Sequence, residues 1–220
     1  MLQEVFDFPK TTGLSWNDFV DSEENMDALR YLMQWPQWNT SGLVIYGNSG
    51  VGKTHLAGLW AQTAGATFLL KPNLDYDPRT IFDANCNFVI DDFDAFLAEK
   101  KDSWIFHFFN IAVEKKRSFL LLSRSNPSLW RIELQDLRSR LLTLVAINMR
   151  DPQDELLFKI AQKLSRDLEI TVSDDAIRCL INLVERNVSA VSAALRILDK
   201  MALRMQKNIT VQFVKRCVGA

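Results

Sequence analysis

Neither sign of charge is in excess in this chain: 26 lysines and arginines stand against 27 aspartates and glutamates, a formal net charge of −1. So balanced a protein exerts no global pull on nucleic acid or on an anionic membrane, which argues against tight DNA binding and leaves room only for a local basic patch. Cysteine is scarce. Cys86, Cys179 and Cys217 lie far apart among apolar neighbours with no metal-ligand spacing, so they read as buried free thiols of a reducing cytoplasm. Nowhere do about 18 apolar residues run together, and the N-terminus carries Glu4 and Asp7 and no long apolar run, so neither a membrane span nor a signal peptide is expected. Repeats and low-complexity tracts are missing too. The expectation is a soluble, cytoplasmic protein whose 220 residues, 48% of them hydrophobic, suffice for one α/β domain and a small accessory one.

One stretch is highly specific. Gly47-Asn48-Ser49-Gly50-Val51-Gly52-Lys53-Thr54 fits the phosphate-loop pattern at every fixed position. Its glycines let the backbone curl so that successive N–H groups face phosphate oxygens, Lys53 can reach the β and γ phosphates, and Thr54 can hold Mg²⁺. Leu43 to Tyr46 before it reads as a buried parallel strand, and His55 to Thr63 after it as a helix whose N-terminus faces the phosphates. The loop is expected to bind a nucleotide.

Upstream, Ser22 to Trp35 reads as a helix capped by Ser22, with Met26, Leu29, Leu32 and Met33 on one face. Phe19 and Val20 just before it are either neighbours of the nucleotide base or ordinary core. Thr67 to Leu70 is a second strand, and Phe88-Val89-Ile90 a third that ends in Asp91 and Asp92. About forty residues after a phosphate loop, Asp91 is placed to hold Mg²⁺ and Asp92 to orient an attacking water, although Asp is shorter than the Glu usual there. Ser103 to Lys116 is an amphipathic helix whose aromatic run reads as core. Ser118 to Ser123 is a buried strand; Ser123, Ser125 and Asn126 at its end either sense the γ phosphate or cap a turn before Pro127. Leu134 to Leu142 carries Arg138 and Arg140, and Leu144 to Ile147 is a fifth strand.

This alternation over 43–147 gives an α/β core, a parallel sheet flanked by helices with nucleotide at the C-terminal strand ends. From Asp151 only helices follow: one started by Asp151-Pro152, one capped by Ser173, one from Ser189 to Met205 and one from Thr210 to Val218. The expected division is a tail over 1–13, a nucleotide-binding core over 14–150 and a small all-α lid domain over 151–220. Lys200, Arg204, Lys207, Lys215 and Arg216 make the lid's end basic and read as a solvated helix face. In the tail, Val5, Phe6 and Phe8 either fold back on the core or form a linear motif for a partner.

A phosphate loop, an acidic strand end, a polar fourth-strand end, an Arg-bearing helix and a helical lid, in that order, resemble the AAA+ ATPases. Gly50-Val51-Gly52-Lys53-Thr54-His55-Leu56, Trp16-Asn17-Asp18-Phe19-Val20, Asp91-Asp92 and Leu137-Arg138-Ser139-Arg140-Leu141 are similar to the DnaA initiator clade over nearly the whole chain. The initiator carries a helix-turn-helix DNA-binding domain after its lid, whereas this sequence reaches Ala220 right after the fourth lid helix. The resemblance therefore implies a DnaA-related negative regulator of replication initiation. Such a regulator works with the DNA polymerase sliding clamp to promote ATP hydrolysis on DnaA.

Gln3-Glu4-Val5-Phe6-Asp7-Phe8 is similar to the clamp-binding peptide of that group, in which Gln3 would supply hydrogen bonds while Phe6 and Phe8 fill an apolar pocket. By the same resemblance Arg140 is an arginine finger that reaches the γ phosphate of DnaA-ATP in trans; a surface ion pair is its alternative, and Arg138 the nearby competitor. One departure stands out: the second-sensor Arg of the family is replaced by Ser189, and serine cannot replace a cation. The resemblance thus implies ATP or ADP with Mg²⁺, held around Gly47 to His55 with Phe19, Val20, Ser123 and Ser189 nearby, weak hydrolysis at most, and no tight DNA contact; a homodimer stays open. Two rival classes are an autonomous ATPase or helicase loader, which would need a basic, aromatic-lined groove for single-stranded DNA, and a phosphate-loop kinase, which would need an acceptor pocket.

Overall fold

The computed structural model describes residues 15–16, 19–69, 77–84 and 86–218. Short apolar runs make its sheet: β1 (Gly42–Tyr46), β2 (Ala66–Leu69), β3 (Asn87–Ile90), β4 (Phe119–Ser123) and β5 (Val145–Asn148). They align in the order β2-β3-β4-β1-β5, and every neighbouring pair is parallel. The central strands, covered on both faces, are continuously apolar, whereas edge strand β5 alternates half-buried and exposed positions.

Because strand side chains alternate, Leu43, Ile45, Val89, Leu120 and Leu122 face one way and Val44, Phe88, Ile90, Phe119 and Leu121 the other. The first face is covered by α1 (Met26–Met33) and α2 (Lys53–Ala64). There Trp60 is fully buried and stacks on Trp38 with ring centroids 5.2 Å apart. Covering the second face are α3 (Phe93–Ala98), α4 (Asp102–Glu114), α5 (Gln135–Leu142) and a 3₁₀ turn, Pro78–Ala84. Its aromatic layer meets edge to face, with Phe82 and Phe88 at 4.7 Å and Phe108 and Phe119 at 6.0 Å. Each fully buried large apolar side chain stabilises the fold by roughly 1.5–3 kcal/mol over its exposed state.

A third apolar cluster, built on Leu157, Ile177, Leu180, Val191, Leu195 and Val214, joins α6 (Asp154–Asp167), α7 (Asp174–Leu183), α8 (Val188–Met205) and α9 (Val211–Val218). Ser173 caps α7 as expected, its Oγ accepting from the Ala176 N–H, and Asn187 caps α8 by accepting from the Ala190 N–H at 2.7 Å.

Local chemistry shifts several expected boundaries. The first helix starts at Met26 instead of Ser22 because Asn25 takes over the turn before it: Asn25 Oδ1 accepts from the Ser22 N–H at 3.0 Å and its Nδ2 donates to the Val20 carbonyl at 3.1 Å. Asp151 does not cap α6, which begins three residues later; its carboxylate is engaged elsewhere, by Asn48. Helix α3, directly after β3, was not anticipated. The three cysteines are free, but half-buried instead of buried. Among the described residues, no helix is long and apolar enough to cross a membrane.

Candidate nucleotide site

Between β1 and α2 the phosphate loop occupies 47–52 and makes two approaches that only glycine allows. A Cβ at Gly47 would lie 2.2 Å from the Met149 carbonyl oxygen, and one at Gly50, whose φ is +79°, would lie 2.6 Å from Asn187 Oδ1. The Gly47 N–H donates to the Ser123 carbonyl at 3.2 Å, tying the loop to the end of β4. Gly52 stands at the N-cap of α2 and offers no capping side chain, so the positive end of the helix dipole faces the loop without a side-chain acceptor. Lys53 Nζ donates to the Gly47 and Asn48 carbonyls at 2.7 and 2.8 Å. Burial holds its pKa below the ordinary lysine value, against the opposing pull of Asp91. Thr54 Oγ1 donates to Asp91 Oδ2 at 2.8 Å, so the two residues assigned to Mg²⁺ are in contact. Curled backbone, uncapped helix N-terminus, lysine and a hydroxyl–carboxylate pair fit a nucleoside phosphate.

Beyond β3, Asp92 adopts φ +51° at the head of α3. Its N–H donates to Asp91 Oδ1 at 2.8 Å, and its exposed carboxylate lies 3.8 Å from Arg124 Nε. The residue that sequence reasoning missed here is Asp94. Its Oδ2 accepts from Ser123 Oγ at 2.9 Å and from the Arg124 N–H at 2.6 Å, while Oδ1 accepts from Ser125 Oγ at 2.6 Å. Burial acts to raise the Asp94 pKa, but the hydrogen bonds from Ser125, Arg124 and Ser123 together bring it below the ordinary carboxylate value.

Ser123 Oγ, buried at the end of β4, also accepts from Trp130 Nε1 at 3.2 Å, so its hydroxyl belongs to an internal network instead of facing the phosphate side freely. Asn126 caps the 3₁₀ turn Pro127–Leu129 by accepting from the Ser128 N–H at 2.9 Å. For Asn126, the capped turn is what the structure contains.

The segment expected near a base sits over the first turn of α2: the Phe19 ring stacks on His55 with centroids 5.9 Å apart and an 18° angle between planes, while Val20 is held through its carbonyl by Asn25. Desolvation by surrounding protein, helped by Lys163, lowers the His55 pKa and favours the neutral ring.

The lid also reaches the loop. The Val188 and Ser189 N–H groups both donate to the Gly50 carbonyl, at 2.9 and 3.3 Å, and Asn48 Nδ2 donates to both Asp151 carboxylate oxygens at 2.8 and 2.9 Å. Ser189 thus meets the loop by its backbone. Of the two lid arginines nearest in sequence, Arg186 pairs with Asp154 at 3.2 Å, and Arg196 is exposed along α8.

Arg140 lies apart from this cluster, on α5 over the other face of the sheet. It is exposed, makes no ion pair among the described residues, and rests its guanidinium 5.2 Å from the Phe106 centroid and 5.9 Å from that of Phe109. Arg138 is exposed on the same helix. Gln3, Phe6 and Phe8, expected to bind the clamp, lie outside the described residues.

Residues 154–218 match the family described as Hda, lid domain. An uncharacterized protein of Haemophilus influenzae is 27% identical over 187 residues, 80% of each chain. The chromosomal replication initiator protein DnaA of Campylobacter fetus is 25% identical over 194 residues, which are 80% of this chain but 44% of the initiator. Domain III of the Thermotoga maritima replication initiation protein DnaA superposes with a TM-score of 0.78 at 17% identity, over 93% of this chain and 95% of that one. A replication initiator DnaA bound to AMPPCP and single-stranded DNA superposes with a TM-score of 0.67 at 18% identity, over 87% of this chain and 67% of that one. At those identities the superpositions establish the AAA+ fold, and the lid and sequence relatives narrow it. Over 154–218 the chain is similar to the Hda lid family, and elsewhere it is similar to DnaA proteins in sequence and carries their AAA+ fold.

Proposed function

We propose that this protein is a nucleotide-binding, cytoplasmic regulator of chromosomal replication initiation that acts with the DNA polymerase sliding clamp to stimulate ATP hydrolysis on DnaA. The observation that carries it is Arg140: an exposed guanidinium without an ion pair among the described residues, on the sheet face opposite the phosphate-loop helix. A finger so placed serves a neighbour's nucleotide better than its own. Guanidinium suits that work because it stays charged and contacts two phosphate oxygens at once. In its own loop the protein holds ATP or ADP, with Lys53 on the phosphates and Thr54 and Asp91 on Mg²⁺; the nucleotide-bound DnaA neighbour supports this choice. Asp92 is the group available to orient water for the weak hydrolysis such a site would support. Gln3, Phe6 and Phe8 tether the protein to the clamp, which raises the local concentration of the finger around DNA-loaded clamps.

The test is DnaA ATP hydrolysis with clamp and DNA, comparing wild type, Arg140→Ala and a chain lacking residues 1–8. Wild type stimulates; Arg140→Ala loses on the order of 10³–10⁵ of the stimulated rate, as removal of a finger does. Loss of the tail removes the clamp dependence. Hydrolysis by this protein alone, indifferent to both changes, would replace the proposal with an autonomous ATPase.

A further inference from the structure

The two longest helices of the lid treat their cations differently. On α6 they are paired one turn apart, Lys159 with Glu155 at 2.9 Å and Lys163 with Asp167 at 2.8 Å, as on an ordinary solvated face. On α8, Arg196, Lys200 and Arg204 follow one another at i, i+4 and i+8, all exposed and none in an ion pair among the described residues. Like charges at that spacing destabilise a helix. Over 187–220 the sequence has six lysines and arginines, these three with Lys207, Lys215 and Arg216, against one acid, Asp199. A chain with almost no net charge thus concentrates positive charge on this part of the lid.

Packing of the lid sets the direction of that face. Val191, Leu195 and Leu198 are buried in the lid core, which turns the row of three cations outward. At about 1.5 Å per residue the row is roughly 12 Å long, and a DNA duplex presents a negative charge about every 1.7 Å along its axis, so each cation of the row meets phosphate. Other polyanions fit the face less well. Single strands are held by stacking on aromatic rings, and α8 has no Phe, Tyr or Trp. An acidic amphipathic segment or a lipid surface needs a continuous apolar stripe. Ile197 and Leu203, 53% and 72% exposed, instead flank the cations on opposite sides, and the continuous apolar face of α8 points into the lid.

We propose that the outward face of α8 is a contact for the phosphate backbone of duplex DNA, carried by Arg196, Lys200 and Arg204. Such contacts position the lid beside a duplex and read no bases. Three of them make binding weak and salt-dependent, in keeping with the balanced charge of the whole chain. The contact uses neither the nucleotide loop nor Arg140, so it holds or fails apart from the function proposed above.

Fluorescence anisotropy of the full chain with a labelled duplex of about 30 base pairs, titrated at about 50 and about 200 mM salt, tests it. Four variants are compared with wild type. One is the α8 triple Arg196→Gln, Lys200→Gln, Arg204→Gln; another is a control triple, Lys115→Gln, Lys116→Gln, Arg131→Gln, which removes the same charge from exposed sites of the core. The others are Lys200→Glu alone and the apolar double Ile197→Ala, Leu203→Ala. The α8 triple is expected to weaken duplex binding at least about tenfold at the lower salt and to cut the slope of log affinity against log salt by about 2.7, at about 0.9 per lost contact. Lys200→Glu changes affinity in the same direction, while the control triple and the apolar double stay within about twofold. Equal losses in the two triples, with unchanged thermal melts, would reduce the effect to net charge and overturn the proposal. So would no loss in Lys200→Glu, wild type that leaves the duplex unbound at the lower salt, or tighter binding of an oligo(dT) of equal length or of phosphatidylglycerol vesicles. A loss in the apolar double as large as in the α8 triple would overturn it too.

Discussion

Around the phosphate loop the polar groups turn inward on one another, while on α5 the guanidinium of Arg140 is left outward. Lys53 is folded onto loop carbonyls, Thr54 onto Asp91 and Asn48 onto Asp151, so each partner of the phosphate loop is provisionally satisfied within the chain. Arg140, by contrast, rests among the described residues on the aromatic rings of Phe106 and Phe109 and on no ion pair. Satisfied polar groups make a site that waits for a ligand which can replace each contact with a stronger one. Under the proposed function, the guanidinium on its aromatic shelf is a site that another molecule completes, and one fold separates a place to receive nucleotide from a place to act outward.

The largest effect that would sharpen this contrast is structural. Trp60, fully buried under the receiving face, should cost about 3–5 kcal/mol of unfolding free energy in urea when changed to Ala, whereas Leu142→Ala on exposed α5 stays within about 0.5 kcal/mol. Comparable losses would mean that the two faces are not packed differently at all. Next comes Lys53→Ala, expected to weaken ATP and ADP more than about 100-fold, equivalent to about 2.7 kcal/mol, while Arg140→Ala leaves the protein's own nucleotide affinity within about twofold. Loss of nucleotide in the Arg140 variant would break the division between receiving and acting.

A smaller effect concerns the β4 network. Asp94→Asn leaves donors from Ser123, Arg124 and Ser125 imperfectly matched, at about 1–3 kcal/mol near neutral pH. The sign of its pH dependence follows from the depressed Asp94 carboxyl. Its stabilisation is fully present above the unfolded value of about 3.9 and is lost as pH falls through the folded value, so the gap between wild type and variant in urea midpoints narrows in acid. A gap that widens in acid would reverse this assignment. Smallest of all, Asn48→Ala removes the tie to Asp151 at the surface and should cost about 0.5–1 kcal/mol in the same titration.

Much of this was legible in the sequence because it depends on local chemistry. The apolar runs around Val44, Val89 and Leu121 could be buried only as parallel strands, and the loop glycines announce a backbone that no other residue could follow. The role proposed for Arg140 comes only through the resemblance carried by Leu137-Arg138-Ser139-Arg140-Leu141, and its aromatic bed of Phe106 and Phe109 is visible only in the fold. Contacts between distant segments were not legible. Asp94 looks like any acid in a first helical turn until β4, about thirty residues on, brings it two hydroxyls and an N–H. Nor does any pattern reveal that Asn25 and Asn187 would displace Ser22 and Ser189 as the residues that begin their helices, since all four are good caps and only packing chooses.

The Gly50 carbonyl accepts from two lid N–H groups, which makes it a joint between halves of the molecule that, among the described residues, share no hydrophobic cluster. Linkage makes such a joint work in both directions: any ligand that favours one geometry of the loop favours the matching angle of the lid by the same free energy. Nucleotide should therefore slow hydrogen exchange at amides of α8 that never touch it, and a partner pressing on the lid from outside should alter how long nucleotide stays bound.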